Sequence, residues 1–261
     1  MLIFRVGVCL LLLAGLAVAN AAGAPPIAAA ADLKFALAEI AEHFEKATGR
    51  TVKLSFGSSG HFAHQLEQGA PFELFLSADE NLVFRLADQG LTLDRGALYA
   101  IGRLVLFVPH GSTLQADATL NDLRAALADG RVKRFAIANP EHAPYGRAAR
   151  AVLQQAGLWS AIEPKLVLGE NAAQAMQFAA SGSSQGGLLP LSLSRAPAIA
   201  KSGTFTLIPG EWHAREPLRQ RLVRMKSAGD TARAFHDYLQ QPAARAIFVR
   251  YGFVLPGEAP R

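Results

Sequence analysis

Pro26-Ile-Ala-Ala-Ala-Ala-Asp32, Thr51-Val-Lys-Leu-Ser-Phe-Gly-Ser-Ser-Gly60 and Phe72-Glu-Leu-Phe-Leu-Ser-Ala-Asp-Glu80 share one design. Each is a short apolar or alternating run that hands over to a Ser, Asp or Gly and then to a helical pattern. After Asp32, the residues Leu33, Leu37, Ile40, Ala41 and Phe44 recur at helical spacing until Thr48-Gly49. Phe62 and Leu66 follow the second run, and Leu82 and Leu86 follow the third. Three strand–helix units in succession predict a mostly parallel sheet with helices on both faces.

The pattern continues outward. Ile101 to Pro109 reads as one strand, and Leu120, Leu123 and Leu127 mark a short helix. Arg134–Ala138, Lys165–Leu168, Gly186–Leu189 and Leu222–Met225 read as strands. Helices are expected after Asn139-Pro140 and over Ala172–Ala180, Thr231–Leu239 and Ala243–Tyr251. No repeat of fixed period is present, which excludes a solenoid or propeller. The length suits two α/β units of about 100 residues each.

The first residues are set apart from the fold. Arg5 precedes an apolar run from Val6 to Ala19, and Ala19-Asn20-Ala21 has the small-x-small pattern of a signal-peptidase site. The run is too short for a spanning helix, which needs roughly 20 residues. Residues 1–21 are therefore expected to be a cleaved signal peptide. Cleavage removes Arg5 and the single cysteine, Cys9, and lowers the net charge from +5 to +4. The mature chain then folds in an oxidising compartment without a disulfide. Its basic residues are scattered singly, with no run or motif for nucleic acid, so no nucleic-acid partner is expected.

Asp32, Gly57-Ser58-Ser59-Gly60 and Ser77-Ala78-Asp79 each lie where a strand meets a helix start. In a parallel sheet these junctions share the edge where ligands bind. Helix N-termini offer unpaired N–H groups and the positive end of a dipole, and serines add donors. Such a set holds a small oxyanion without a cationic side chain. Spacing alone leaves open a plainer role for Asp32, Ser59 and Asp79 as helix caps.

At these junctions the sequence resembles the periplasmic molybdate-binding proteins of ABC transporters. The likeness lies in Ala29–Ala36, in Phe56–Gly60, and above all in Gln65-Leu-Glu-Gln-Gly-Ala-Pro-Phe-Glu-Leu-Phe-Leu-Ser-Ala-Asp79. Asn139-Pro-Glu-His-Ala-Pro-Tyr-Gly146, Phe235–Leu239 and Tyr251–Phe253 are similar to later stretches of that family, in the same order. The resemblance implies a two-lobed periplasmic-binding-protein fold, each lobe a mostly parallel α/β sheet, with a two-stranded hinge and the anion in the cleft. Lobe 1 is expected over residues 22–100, lobe 2 over 101–204, and a return to lobe 1 over 205–261. It further implies an exported, monomeric, non-enzymatic protein without cofactor that delivers molybdate or tungstate to a membrane ABC permease with its ATPase.

The ligand set implied by the resemblance is Asp32, Ser58, Ser59, Ala78, Tyr145, Ala172 and Pro190. Ser59 matches a serine that binds through hydroxyl and N–H, and Ala78 and Ala172 match backbone donors. Tyr145 falls where a small residue's N–H is usual. Pro190 falls where the family often has a tyrosine hydroxyl, and Ser192 or Tyr145 are the candidates to replace that donor. Asp32 replaces a serine donor. A carboxylate about 4 Å from an anion costs roughly 4 kcal/mol per unit pair at an effective dielectric of 20. The favoured reading has Asp32 capping its helix while its N–H binds the ligand and Lys34 offsets the charge. The alternatives are a carboxylate that accepts a hydrogen bond from a protonated oxyanion such as hydrogen phosphate, or a different small molecule.

Two other constellations are weaker. His61, His64 and Glu67 are spaced on one helix face as a conceivable metal site, although such pairs are more often surface residues. Gly57-x-Ser59 is a poor nucleophile elbow, because His61 stands where a second glycine is needed. A hydrolase using Ser59, His61 or His64, and Asp79 is the remote alternative.

Overall fold

The computed structural model describes residues 23–258, so the expected leader lies outside the described residues. In chain order the first part runs β1 (Pro26–Ala30), a 3-10 turn (Ala31–Leu33), α1 (Lys34–Thr48), β2 (Lys53–Gly57), α2 (Ser59–Glu67), β3 (Leu74–Ser77), α3 (Glu80–Asp88) and β4 (Ala97–Ile101). The second part runs β5 (Leu104–Pro109), α4 (Asn121–Ala128), β6 (Phe135–Ala138), α5 (Pro144–Gln155), α6 (Trp159–Ile162), β7 (Leu166–Gly169), α7 (Ala172–Ala180), β8 (Gly187–Pro190), α8 (Leu191–Ser194), α9 (Pro197–Ala200) and β9 (Gly203–Leu207). β10 (Arg219–Arg224), α10 (Asp230–Tyr238) and α11 (Pro242–Arg250) close the chain.

Two five-stranded sheets result, in the orders β2-β1-β3-β10-β4 and β7-β6-β8-β5-β9. β1, β2 and β3 pair in parallel, and β10 inserts antiparallel between β3 and β4. The second sheet repeats this plan, with β5 antiparallel between β8 and β9. The mostly parallel expectation holds, with one reversed strand in each sheet. β1 explains its alanine-rich run by burial on both faces. Ile27 and Ala29 join the larger core with Leu37, Ile40 and Phe44 of α1, whereas Ala28 packs with Phe62, Phe75 and Val83 on the other face.

The single strand read over Ile101–Pro109 is two strands. The chain breaks at Gly102-Arg103 and passes from one sheet to the other between β4 and β5. Only Gly102-Arg103 separates the apolar run Ala97–Ile101 from Leu104–Val108, an interruption short enough to be read through as one strand. The return crossing lies between β9 and β10, and Gly102 N–H donates to Leu218 O at 2.8 Å, tying the two crossings together. The boundary expected at residue 204 falls inside β9, which pairs with β5 through Leu207. α10 packs on β10 and α11 on α1, so the C-terminal helices sit with the first sheet.

Candidate functional site

Between the two sheets lies a small, tightly closed pocket lined by Ala30, Ala31, Asp32, Gly57, Ser58, Ser59, Ala78, Ala143, Pro144, Tyr145 and Ala172. Helix starts from both sheets converge on it. Ser59 opens α2, and Ala78 precedes α3, whose N-cap Asp79 takes the Asn81 N–H at 2.9 Å. From the second sheet, Pro144 opens α5, where the missing proline N–H costs nothing. Asn171 caps α7 by accepting from the Ala173 and Gln174 N–H groups, both at 3.0 Å, which leaves the Ala172 N–H out of the cap. Lysine and arginine are absent from the lining. Apart from the Asp32 carboxylate, helix dipoles, N–H groups and hydroxyls set the pocket's potential, and these favour an anion.

Ser59 is placed as a donor. Its Oγ accepts the Ala78 N–H at 3.0 Å, which leaves its own proton for a guest. Ser58 Oγ instead donates across the cleft to the His142 carbonyl at 2.5 Å, and Gly60 N–H donates to the same oxygen at 3.0 Å. A Cβ on Gly60 would lie 2.5 Å from that carbonyl, so glycine is what lets the lobes approach here. Arg147 of α5 also crosses the cleft, reaching Asp79 at 2.5 Å and Glu216 at 3.0 Å.

Asp32 departs from the capping expectation. It sits inside the 3-10 turn, whose cap position is Ala30, while Leu33 caps α1. Its carboxylate is buried at 1% exposure, and Oδ2 accepts from Gln220 Nε2 at 2.6 Å. Oδ1 has no protein partner. Burial pushes the pKa up to about 6, against the opposing pull of the Gln220 hydrogen bond and the neighbouring Tyr145 hydroxyl. Lys34 is exposed and points its ammonium towards the Phe35 ring, so it does not offset the charge. Gln220 is the organiser that sequence reasoning missed. It accepts from Tyr99 Oη at 2.8 Å and donates to both Asp32 and Tyr145 Oη, the latter at 3.3 Å. Its only signal is being a polar residue within the apolar alternation of β10.

Six of the seven expected ligand residues line the pocket together: Asp32, Ser58, Ser59, Ala78, Tyr145 and Ala172. Pro190 does not. It ends β8, pairs with Leu104, and its carbonyl accepts from Ser194 Oγ at 3.0 Å. Ser192 is also committed elsewhere, donating to the Asp32 carbonyl at 2.8 Å, and the Tyr145 hydroxyl accepts from Gln220 at 3.3 Å while its residue lines the pocket. The helical His61–His64–Glu67 set does not form. His61 stacks on His142 instead, with ring centroids 3.7 Å apart, while His64 stays with Glu67 at 3.8 Å. Among the described residues no imidazole bonds Ser59, so the hydrolase arrangement is not assembled.

The sequence profile of the family described as "Bacterial extracellular solute-binding protein" matches residues 26–254. The chain belongs to that family. Among these solute-binding proteins, the molybdate-binding protein ModA of Rhodobacter capsulatus is 36% identical over 94% of each chain. ModA of Azotobacter vinelandii is 37% identical over 92% of this chain and 93% of its own. The solved periplasmic molybdate-binding protein of A. vinelandii superposes with a TM-score of 0.78 at 33% identity, covering 89% of this chain and 99% of that one. The two-lobed fold is thus that of an extracellular solute-binding protein, and no helix of the described residues is long and apolar enough to cross a membrane.

Proposed function

We propose that the chain captures a tetrahedral oxyanion, molybdate or tungstate, in the interlobe pocket and presents it to a membrane ABC permease. The observation that carries this reading is the convergence of helix starts from both sheets, with the Ser59 and Tyr145 hydroxyls, on a pocket without cationic side chains. The names of the curated relatives point to the same ligand class. In this reading the Ser59 hydroxyl and the backbone N–H groups of Tyr145 and Ala172 hold the oxygens, the Ala78 N–H orients that hydroxyl by donating to Ser59 Oγ, and Ser58 holds the lobes together through His142. The protein works as a monomer in the periplasm after its leader is removed, and binds without turnover. Asp32 must be neutral when a dianion occupies the pocket, so one proton enters with the ligand.

Thermal melting tests this directly. Ligand at 100 times its dissociation constant adds about 2.7 kcal/mol of stability. For a chain of this size that is a rise of roughly 5–10 °C. Molybdate and tungstate should give it, and Ser59→Ala should remove most of it. No rise with either anion would refute the proposal. A second reading is favoured by the unpartnered Asp32 Oδ1, which is able to accept a hydrogen bond from the O–H of a hydrogen phosphate. A rise with phosphate alone, abolished by Asp32→Ser, would establish that reading instead.

A further inference from the structure

Beside the pocket mouth, three metal-ligating side chains meet from both sides of the cleft. His61 comes from α2 in the first lobe, His142 from the loop before α5, and Glu170 from the loop before α7 in the second. One ligand atom of each lies within 4.8 Å of the others. The His61 and His142 rings stack at 3.7 Å and 14°. His142 Nε2 lies 3.2 Å from the Glu170 carbonyl and 3.5 Å from its carboxylate.

We propose that His61, His142 and Glu170 form a binding site for a borderline divalent cation such as Zn²⁺, and that the ion clasps the lobes closed over the anion pocket. Two imidazoles and one carboxylate are a donor set that zinc accepts, with a fourth position left to water. Tetrahedral coordination at 2.0–2.2 Å brings ligand atoms to roughly 3.4 Å from one another; His142 Nε2 and the Glu170 carboxylate already stand at 3.5 Å, so it is chiefly His61 that must draw in. His61 and Glu170 are exposed and free to turn, whereas His142 is anchored. The His142 carbonyl is held by Ser58 Oγ and Gly60 N–H. Stacked rings direct their lone pairs in parallel, so the His61 ring rotates out of the stack to bind.

This site is separate from the anion pocket, and none of its side chains lines that pocket. Its ligands come from opposite lobes, so they assemble only when the lobes are closed. Zinc and oxyanion must then favour each other, by the same factor in both directions. That coupling, unlike the zinc site itself, rests on the oxyanion reading.

Equilibrium dialysis with micromolar Zn²⁺ tests the site on the chain from Ala22 onward, with and without molybdate. One zinc per chain is expected, bound at least ~5-fold more tightly when molybdate is present. His61→Ala and Glu170→Gln, both at exposed positions, should each weaken zinc by at least ~10-fold. His64→Ala should leave it unchanged, and molybdate affinity in EDTA should be unaffected by all three. Zinc binding that is absent, or that survives His61→Ala, would overturn the site. Zinc that depends on His61 but is indifferent to molybdate would overturn the clasp, provided molybdate binds in EDTA. Failure of molybdate to bind in EDTA counts against the oxyanion reading alone, since zinc is also read without it.

Discussion

Replacing Asp32 with asparagine removes the one acidic charge from a pocket otherwise built for anions. The carboxylic acid has a pKa of about 6, raised by burial, so at pH 7 about nine-tenths of the chains carry the charge. Beside it lie Gln220, which is neutral, and Tyr145 and Tyr99, whose hydroxyls burial keeps protonated across this range. A dianion about 4 Å from an ionised carboxylate would meet roughly 4 kcal/mol of repulsion per unit pair. Protonating Asp32 at pH 7 costs about 1.4 kcal/mol, a factor of about ten in affinity, which is the smaller penalty. Binding therefore takes up a proton. Wild-type affinity for molybdate should fall about tenfold from pH 7 to pH 8 and level off below pH 6. Asparagine keeps an acceptor for Gln220 Nε2 and needs no proton, so Asp32→Asn should bind about tenfold more tightly at pH 7, with little dependence on pH. Calorimetry in two buffers of different ionisation enthalpy counts the proton directly. A wild-type affinity that is flat from pH 6 to pH 8, with no proton taken up, would refute the reasoning.

The same group sets a stability trend. The folded-state pKa lies above the ordinary 3.8, so Asp32 destabilises the fold above pH 6 and the penalty fades as pH falls towards 3.8. The rise corresponds to about 3 kcal/mol, so ligand-free Asp32→Asn should melt several degrees above wild type at pH 7.5 and close to it at pH 4. Gly60→Ala places a Cβ against the His142 carbonyl and should weaken molybdate by about 5- to 150-fold in calorimetry by blocking closure, because an overpacked contact costs about 1–3 kcal/mol. Arg147→Ala, which cuts the bridge to Asp79, should raise the ligand-bound radius of gyration in X-ray scattering and increase the release rate. Tyr145→Phe removes a hydroxyl from the pocket and should cost about tenfold in affinity, near the value of one hydrogen bond.

The parts of the molecule legible in sequence are those set by local pattern. The runs at Pro26, Thr51 and Phe72 announce β1, β2 and β3, and the Ser, Ala and Asp residues that follow announce helix starts on one edge. Tyr145 and Ala172 come to the pocket through resemblance, and the fold brings them there because β6 and β7 end on the same side of their sheet. What the sequence hides depends on long-range returns. The partner of Asp32 is Gln220, delivered by β10 from far along the chain, and nothing near Asp32 announces it. The crossing at Gly102-Arg103 is a two-residue interruption between apolar runs, and Tyr145 Oη would lie 2.2 Å from a Cβ at that glycine. His61 looked like half of a helical pair with His64, but lobe closure gives it His142 as a neighbour.

Titration calorimetry of the chain from Ala22 onward with molybdate, tungstate, sulfate and phosphate tests the central claim most directly. The account predicts one site per chain for molybdate and tungstate, with sulfate and phosphate at least ~100-fold weaker, and loss of the heat in Ser59→Ala. Absence of binding by molybdate and tungstate, or their binding unchanged in Ser59→Ala, would contradict it.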